Sequence, residues 1–376
     1  MKARKINVKQ YRNIIINVMN ARIKGLKDGK DLNLPYFFWG LPGIGKSKII
    51  EKVCEENEWN MFDIRGSQLD PVDFRGMPIY DSVAEVAKFI RFNSLLPDEN
   101  DKRKGIIFID EFPQSPEMVM SASYQLINDR CVGDYKLPNG YIVFAAGNRE
   151  EDGGVFFEMP PALKDRFSHV ELEPDYDSFI EYVNEKYNNV DILSYLTYQN
   201  NNDREKIYNF SNSHLVFPTF RSWEKVLSFA EYGMDVYDLI SDNIGEQITA
   251  DYRTFVELVR QIPNAEELLK NKLYYTDIQK QIIASMKVTN YILSDNCKNK
   301  WDSFKYYIEL HDPNDKKNKR QELTILFLLN LKNNFDIIDK MDKPYKMDKK
   351  YYTKKNDTIY KFLKDKFEVL RDIGTV

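Results

Sequence analysis

The sequence predicts an α/β fold in which a parallel sheet is covered by helices on both faces and helical regions follow. Three observations predict it. Five short apolar runs, Leu34–Trp39, Trp59–Ile64, Gly105–Asp110, Tyr141–Ala146 and His169–Leu172, recur with helix-like stretches between them. Runs that are apolar throughout, rather than at every second residue, mark strands buried on both faces. A glycine-rich segment joins the first run to a helix, and beyond Pro174 the strand signal fades.

Taken in order, residues Asn7 to Gly25 place apolar side chains at Val8, Tyr11, Ile14, Ile15, Val18, Met19 and Ile23, the spacing of an amphipathic helix. Leu34–Trp39 is a strand ended by Gly40, and Lys46–Val53 is the helix after it. Gly105–Asp110 is the clearest strand, and Glu117–Asn128 reads as a helix. After Pro174, helices alternate with polar linkers such as NNNDRE and HDPNDKKNKR. One helix covers Phe220–Tyr232. Another covers Gln321–Leu331, where TILFLLNL is apolar enough for a core, and the tail from Asp339 is rich in Lys and Tyr. No internal repeat is visible. Boundaries near Pro174 and Pro263 divide the chain into 1–174, the strand-bearing region with its N-terminal helix; 175–262, helical; and 263–376, a helical C-terminal region without an assigned role.

Composition narrows the function classes. The chain has 376 residues, 43% hydrophobic and 30% charged, which is globular rather than disordered. A net charge of −4 gives no overall basic character toward nucleic acid. Cys54, Cys131 and Cys297 lie far apart with no CxxC pair, which argues against a disulfide framework or zinc site and suits a reducing compartment. His169, His214 and His311 are too scattered for a metal site. No signal-like N-terminus is present, and no apolar segment reaches the roughly 18 residues of a membrane span. The expectation is a soluble cytoplasmic protein with no membrane partner.

The glycine-rich segment is GLPGIGKS, residues Gly40, Leu41, Pro42, Gly43, Ile44, Gly45, Lys46 and Ser47, which fits GxxxxGK[ST]. The glycines permit positive φ and close approach, so backbone N–H groups can surround an anion. The helix that follows offers its positive N-terminal end to the same charge. In such a loop the lysine reaches the β- and γ-phosphates, here Lys46, and the hydroxyl, here Ser47, binds Mg²⁺. The competing reading is a chance glycine-rich turn, but a strand before and a helix after are the context the phosphate loop requires.

GIIFIDE sets Asp110 and Glu111 at the end of a buried strand, where the ligand crevice of a parallel sheet opens. Asp110 is the candidate to share Mg²⁺ with Ser47, and Glu111 to act as general base or positioning group for water. AAGNRE ends the next strand; Asn148 is either a water- or phosphate-orienting amide or a turn residue. PPALKDRF brings Arg166 and FPTFRSWEKV brings Arg221; a guanidinium suits spread phosphoryl charge.

Together these segments resemble an AAA+ ATPase, and more narrowly the MoxR-like group. GLPGIGKS resembles Walker A and IIFIDE Walker B; INDRCVGDYKLPNGYIVFAAGN resembles the group's helix, hairpin and sensor-1 run, with Asn148 as sensor; PPALKDRF resembles its arginine-finger segment and PTFRSWE its sensor-2 segment. The resemblance covers about Leu34 to Phe255. It implies a P-loop core with a five-stranded parallel sheet, a helical lid, and ATP with Mg²⁺ bound between subunits of a closed homo-oligomeric ring, commonly a hexamer. Lys46, Ser47, Asp110, Glu111 and Asn148 would act in their own subunit. Arg166, with Lys164 and Arg149 as competitors, would reach the neighbour's nucleotide, and Arg221 would act from the lid in either subunit. SQLDPVDFRGMP, Ser67 to Pro78, and a hairpin around Asp129 to Pro138 are either client-contacting elements or local structure. Similar sequences occur in bacteriophages, which allows a viral source and then the host cytoplasm as location.

The resulting expectation is an ATP hydrolase that remodels or assembles a protein client, which the family often does beside a von Willebrand factor A-type partner. Two alternatives stay open: a nucleic-acid-associated motor, for which KMDKKYYTKKNDTIYKFLKDK mixes Lys with Tyr but also with Asp, and a nucleotide-bound scaffold with little turnover.

Overall fold

A computed structural model describes residues 3–81, 86–90, 95–153, 155–211, 213–271 and individual positions between 273 and 291. The expected helix Gln321–Leu331, the tail from Asp339, and nearly all of the C-terminal region lie outside the described residues. The chain divides into two compact units, Met1–Ala250 and Asp251–Val376.

The first unit opens with β1 (Arg4–Ile6), α1 (Val8–Lys27), β2 (Tyr36–Trp39), α2 (Lys46–Glu56) and β3 (Asn60–Arg65). A short helix α3 (Pro71–Arg75) and a two-stranded hairpin, β4 (Met77–Asp81) with β5 (Val86–Ile90), precede β6 (Gly105–Asp110). Then come α4 (Glu117–Asp129), a second hairpin of β7 (Cys131–Val132) and β8 (Tyr135–Lys136), β9 (Tyr141–Gly147), α5 (Pro161–Lys164) and β10 (Ser168–Leu172). Helices follow: α6 (Tyr176–Lys186), α7 (Val190–Asn202), α8 (Phe220–Ala230), α9 (Val236–Asn243), and α10 (Glu246–Gln261), which crosses into the second unit. The second unit includes α11 (Ala265–Lys270).

The main sheet runs β1-β10-β2-β9-β6-β3, with every pairing parallel. It has six strands, not the five expected. The extra one is Arg4–Ile6, a sheet edge in which only Ile6 is buried. Three residues with one apolar side chain carry no strand pattern; backbone pairing to β10 makes it a strand. The hairpin β4–β5 was likewise not among the expected strands, and the Ser67–Pro78 segment reaches only its first two residues. The four expected helices that lie among the described residues, α1, α2, α4 and α8, start and stop within three residues of their expected ends. In α1 the reason is visible: Asn7 and Gln10 form a reciprocal capping box at its start.

The strands separate their side chains to two faces. Phe37, Ile107, Ile109, Val143 and Ala145 join Val119, Met120, Leu126 and Ile127 of α4 in one core. On the opposite face Phe38 meets Tyr11 of α1 edge-on at 4.4 Å and Phe144 at 5.5 Å. Continuous apolar strands are what a sheet covered on both sides demands, and they hold the C-terminal ends of β2, β6 and β9 in register.

Candidate functional site

β2 stops at Trp39 and α2 starts at Lys46; the residues between them turn on two glycines in the left-handed region, Gly43 at φ 76° and Gly45 at φ 93°. A side chain at either would be strained. Gly45 is the N-cap of α2 and no side chain caps that helix, which leaves its first N–H groups to an outside acceptor.

Lys46 points back under this loop. Its ammonium donates to the carbonyls of Gly40 at 2.6 Å and Leu41 at 3.1 Å, and to Asn148 Oδ1 at 3.0 Å. The side chain is buried, and burial pulls its pKa down to about 8, against the opposing pull of Asp110, Asp152 and Glu111; Arg221 adds to the depression. A hydrogen-bonded cation beneath a ring of free amides is a cradle for a polyanion.

Ser47 Oγ donates to Asp110 Oδ2 at 2.5 Å. The register sets Arg65 at the end of β3 directly beside Asp110 at the end of β6, and Arg65 Nη1 lies 3.3 Å from Asp110 Oδ2 and 3.7 Å from Glu111 Oε1. Glu111 sits at φ 56°, a left-handed conformation that non-glycine residues rarely take outside sites where the surroundings enforce it. Its N–H donates to Asp110 Oδ1 at 2.9 Å and its carboxylate accepts a hydrogen bond from Ser67. The sequence signal that places Arg65 here is weak: a charged residue ending a strand says nothing until its parallel partner is known.

Arg149, one residue past Asn148, pairs with Glu171 and with Glu151. Lys164 pairs with Glu158 at 2.8 Å. Arg166 donates from Nε to Asn128 Oδ1 at 2.8 Å and from Nη1 to the Ala162 carbonyl at 2.7 Å, and lies over the Tyr124 ring at 4.5 Å. It does not line the cleft that holds Lys46. Arg221 does: that cleft, about 920 Å³, is bordered by the loop, Asp110, Glu111, Asn148, Arg221 and the start of α6. Arg221 is exposed on the first turn of α8, which Thr219 caps through its side-chain oxygen to Ser222 N at 3.0 Å. The structure therefore gathers Pro42–Ser47, Asp110, Glu111, Asn148 and Arg221 around one cleft, with the Gly40 and Leu41 carbonyls on Lys46 behind it, and leaves Arg166 outside.

The donor set fits a nucleotide and a hard divalent cation. A hydroxyl and a carboxylate oxygen within hydrogen-bond distance at the sheet edge, beside a buried ammonium and unclaimed helix amides, match a phosphate-bound Mg²⁺ rather than a soft metal. Among the described residues no group of three or more His, Cys, Asp or Glu forms a metal cluster. No helix among them is long and apolar enough to cross a membrane.

Residues 36–174 match the family model described as "ATPase family associated with various cellular activities (AAA)". No curated protein matches the chain. Solved structures similar to it include a point mutant of Thermotoga maritima RuvB, at 14% identity over 70% of this chain and 77% of that one with a TM-score of 0.37. The Thermotoga maritima RuvB Holliday junction branch migration motor is 15% identical over 77% and 70%, TM-score 0.32. A closed-state reconstruction of Hsp104 with ATPγS and FITC casein is 15% identical over 61% and 44%, TM-score 0.34.

Proposed function

We propose, from the match of residues 36–174 to the AAA ATPase family model, that the chain is an ATP hydrolase of the MoxR-like kind, which works in a homo-oligomeric ring, by family resemblance a hexamer, to remodel or assemble a protein client. The observation that carries this reading is the meeting of Lys46, the Ser47–Asp110 pair, Glu111 and Asn148 at the C-terminal ends of three adjacent parallel strands. The core is 1–174, the lid 175–262, and 263–376 is a C-terminal extension. The order of motifs and the β7–β8 hairpin before the sensor strand support the MoxR-like assignment.

In this mechanism Lys46 and the first amides of α2 hold the triphosphate. Ser47 and Asp110 would hold Mg²⁺, which would supply positive charge against the phosphates. Glu111 aligns water and takes its proton; Asn148, fixed by Lys46, holds the amide end of the site. Arg221 lines the same cleft and acts from the lid of its own subunit, whereas Arg166, turned away from that cleft, serves a neighbour's nucleotide. Positioned groups aimed at developing charge do most of the work in phosphoryl transfer. Client and partner, including a von Willebrand factor A-type protein, are to be identified by capture on the ATP-bound ring.

The test is ATP turnover. Glu111→Gln is expected to lower it on the order of 100-fold or more while ATP binding persists. Equal rates remove the role of Glu111. Mixing Lys46→Ala with Arg166→Ala subunits is expected to restore part of the activity that each lacks alone; no recovery in mixed oligomers argues against action across subunits.

A further inference from the structure

The phosphate loop is braced from outside by a residue no motif contains. Tyr208 follows a short turn at Arg204–Lys206 and is buried at 4% exposure. Its hydroxyl donates to the carbonyl of Pro42 at 2.7 Å. The ring packs 5.1 Å from Phe220, and the next residue is tied by Asn209 N to the Pro218 carbonyl at 2.9 Å, beside the α8 cap. That cap, Thr219, lies beside the same peptide: a Cβ built on Gly43 would lie 3.2 Å from the Thr219 side chain.

The consequence follows from peptide geometry. In a planar trans peptide the C=O of one residue and the N–H of the next point in opposite directions. Fixing the Pro42 carbonyl outward, against Tyr208, turns the Gly43 N–H inward. Among the described residues that N–H has no acceptor. Burial holds the Tyr208 phenol well above its ordinary pKa, so it stays a donor at neutral pH.

The geometry points to Tyr208 as a positioning residue for ATP binding: from the helical segment after the core, its hydroxyl orients the Pro42–Gly43 peptide so that an amide faces the phosphates. This rests on the nucleotide-binding reading above. It also gives the lid a direct mechanical hold on the loop, separate from Arg221, since Tyr208 bonds to a peptide that the cap of the helix carrying Arg221 lies beside.

The experiment compares full-length wild type with Tyr208→Phe, which lacks one oxygen, using pyrophosphate and Mg-ATP as probes in calorimetry, with folding verified by circular dichroism. Affinity for both is expected to fall about tenfold, the effect of leaving one buried carbonyl unpaired and its peptide unanchored. Pyrophosphate carries no base or ribose, so the loss reports the loop itself; a lowered melting temperature with unchanged pyrophosphate affinity would assign Tyr208 to packing alone and overturn the proposal. A 3-fluorotyrosine at 208 keeps the hydroxyl and is expected to bind pyrophosphate at least as well as wild type, and this variant decides the question if Tyr208→Phe does not fold: a tenfold loss there overturns it. Wild type that binds neither probe removes the nucleotide reading; wild type that binds them with Tyr208→Phe equal removes only this inference.

Discussion

Two regions of the core bury cations, and they do so for different ends. At the C-terminal edge of the sheet, Lys46 sits under the glycine loop in an open cleft. At the other end, Arg22 and Arg130 are buried with backbone for company. Arg130 donates to the carbonyls of Tyr141 at 2.5 Å, Pro138 at 2.8 Å and Leu137 at 3.2 Å. Arg22 donates to those of Asn139 at 2.7 Å and Leu32 at 2.6 Å and pairs with the exposed Asp31 at 2.9 Å. Burial, with Arg22 alongside, lowers the pKa of Arg130 to about 10. Both regions hydrogen-bond a desolvated charge to backbone oxygen. Both have an acidic neighbour, Asp31 in the second region; only the first adds free helix amides and an opening. A buried cation alone therefore marks rigidity; it marks a binding site when the surroundings leave room for an anion to approach.

That contrast can be broken by exchange. Lys46→Met is expected to weaken ATP binding by at least ~100-fold, since a charge-assisted contact to phosphate is lost, while costing less stability than Arg130→Met, because removing a buried charge offsets the acceptors it leaves and the open cleft lets water reach them. Arg130→Met is expected to do the reverse: roughly 3 kcal/mol of stability lost, as three buried carbonyls each lose a charged donor, with ATP affinity intact in the folded fraction. Denaturant unfolding and calorimetry on both variants check this; a stable Arg130→Met or an ATP-binding Lys46→Met would erase the distinction.

A smaller effect should appear with pH. Buried Lys46 has a pKa near 8, below the ordinary 10.5, with burial as the chief cause. Between those values the unfolded chain carries more protons than the native one, so stability rises with pH across that window, and the gain is gone once pH has fallen to about 8. Binding runs the other way: triphosphate needs the ammonium, so affinity is expected to decline above about pH 8 with net proton uptake on binding. Calorimetry in buffers of different ionisation enthalpy measures that uptake, and an affinity that stays flat from roughly pH 7 to 9.5 would refute it.

The smallest change sharpens the role of the residues around Glu111. Ser67→Ala frees the carboxylate from one hydrogen bond, and a change in turnover of about two- to fivefold in either direction is expected, with binding unaltered. A change in affinity instead would place Ser67 with the phosphate contacts.

Much of the candidate site was readable beforehand because its chemistry is local. A strand, a loop with Gly43 and Gly45, and a helix beginning at Lys46 are contiguous, and so are Asp110 and Glu111 at a strand end. Arg65, Ser67, Tyr208 and Thr219 were not readable, because each matters only through a neighbour far along the chain: Arg65 by lying beside Asp110 across two parallel strands, Tyr208 by reaching Pro42 across 166 positions. The edge strand Arg4–Ile6 was missed for a similar reason, since one buried side chain in three writes no period.

By itself, the sequence determined the alternation of apolar strands and helices, the positive-φ loop and the acids that end β6, since hydrophobic period and glycine conformational freedom are properties of neighbouring residues. Only the tertiary structure decided the order of the strands, the sixth strand, which of the two expected arginines, Arg166 or Arg221, lines the cleft and which hydroxyl braces the loop. Those depend on backbone pairing and burial between distant segments, where the energy lies in contacts that no short stretch of sequence contains.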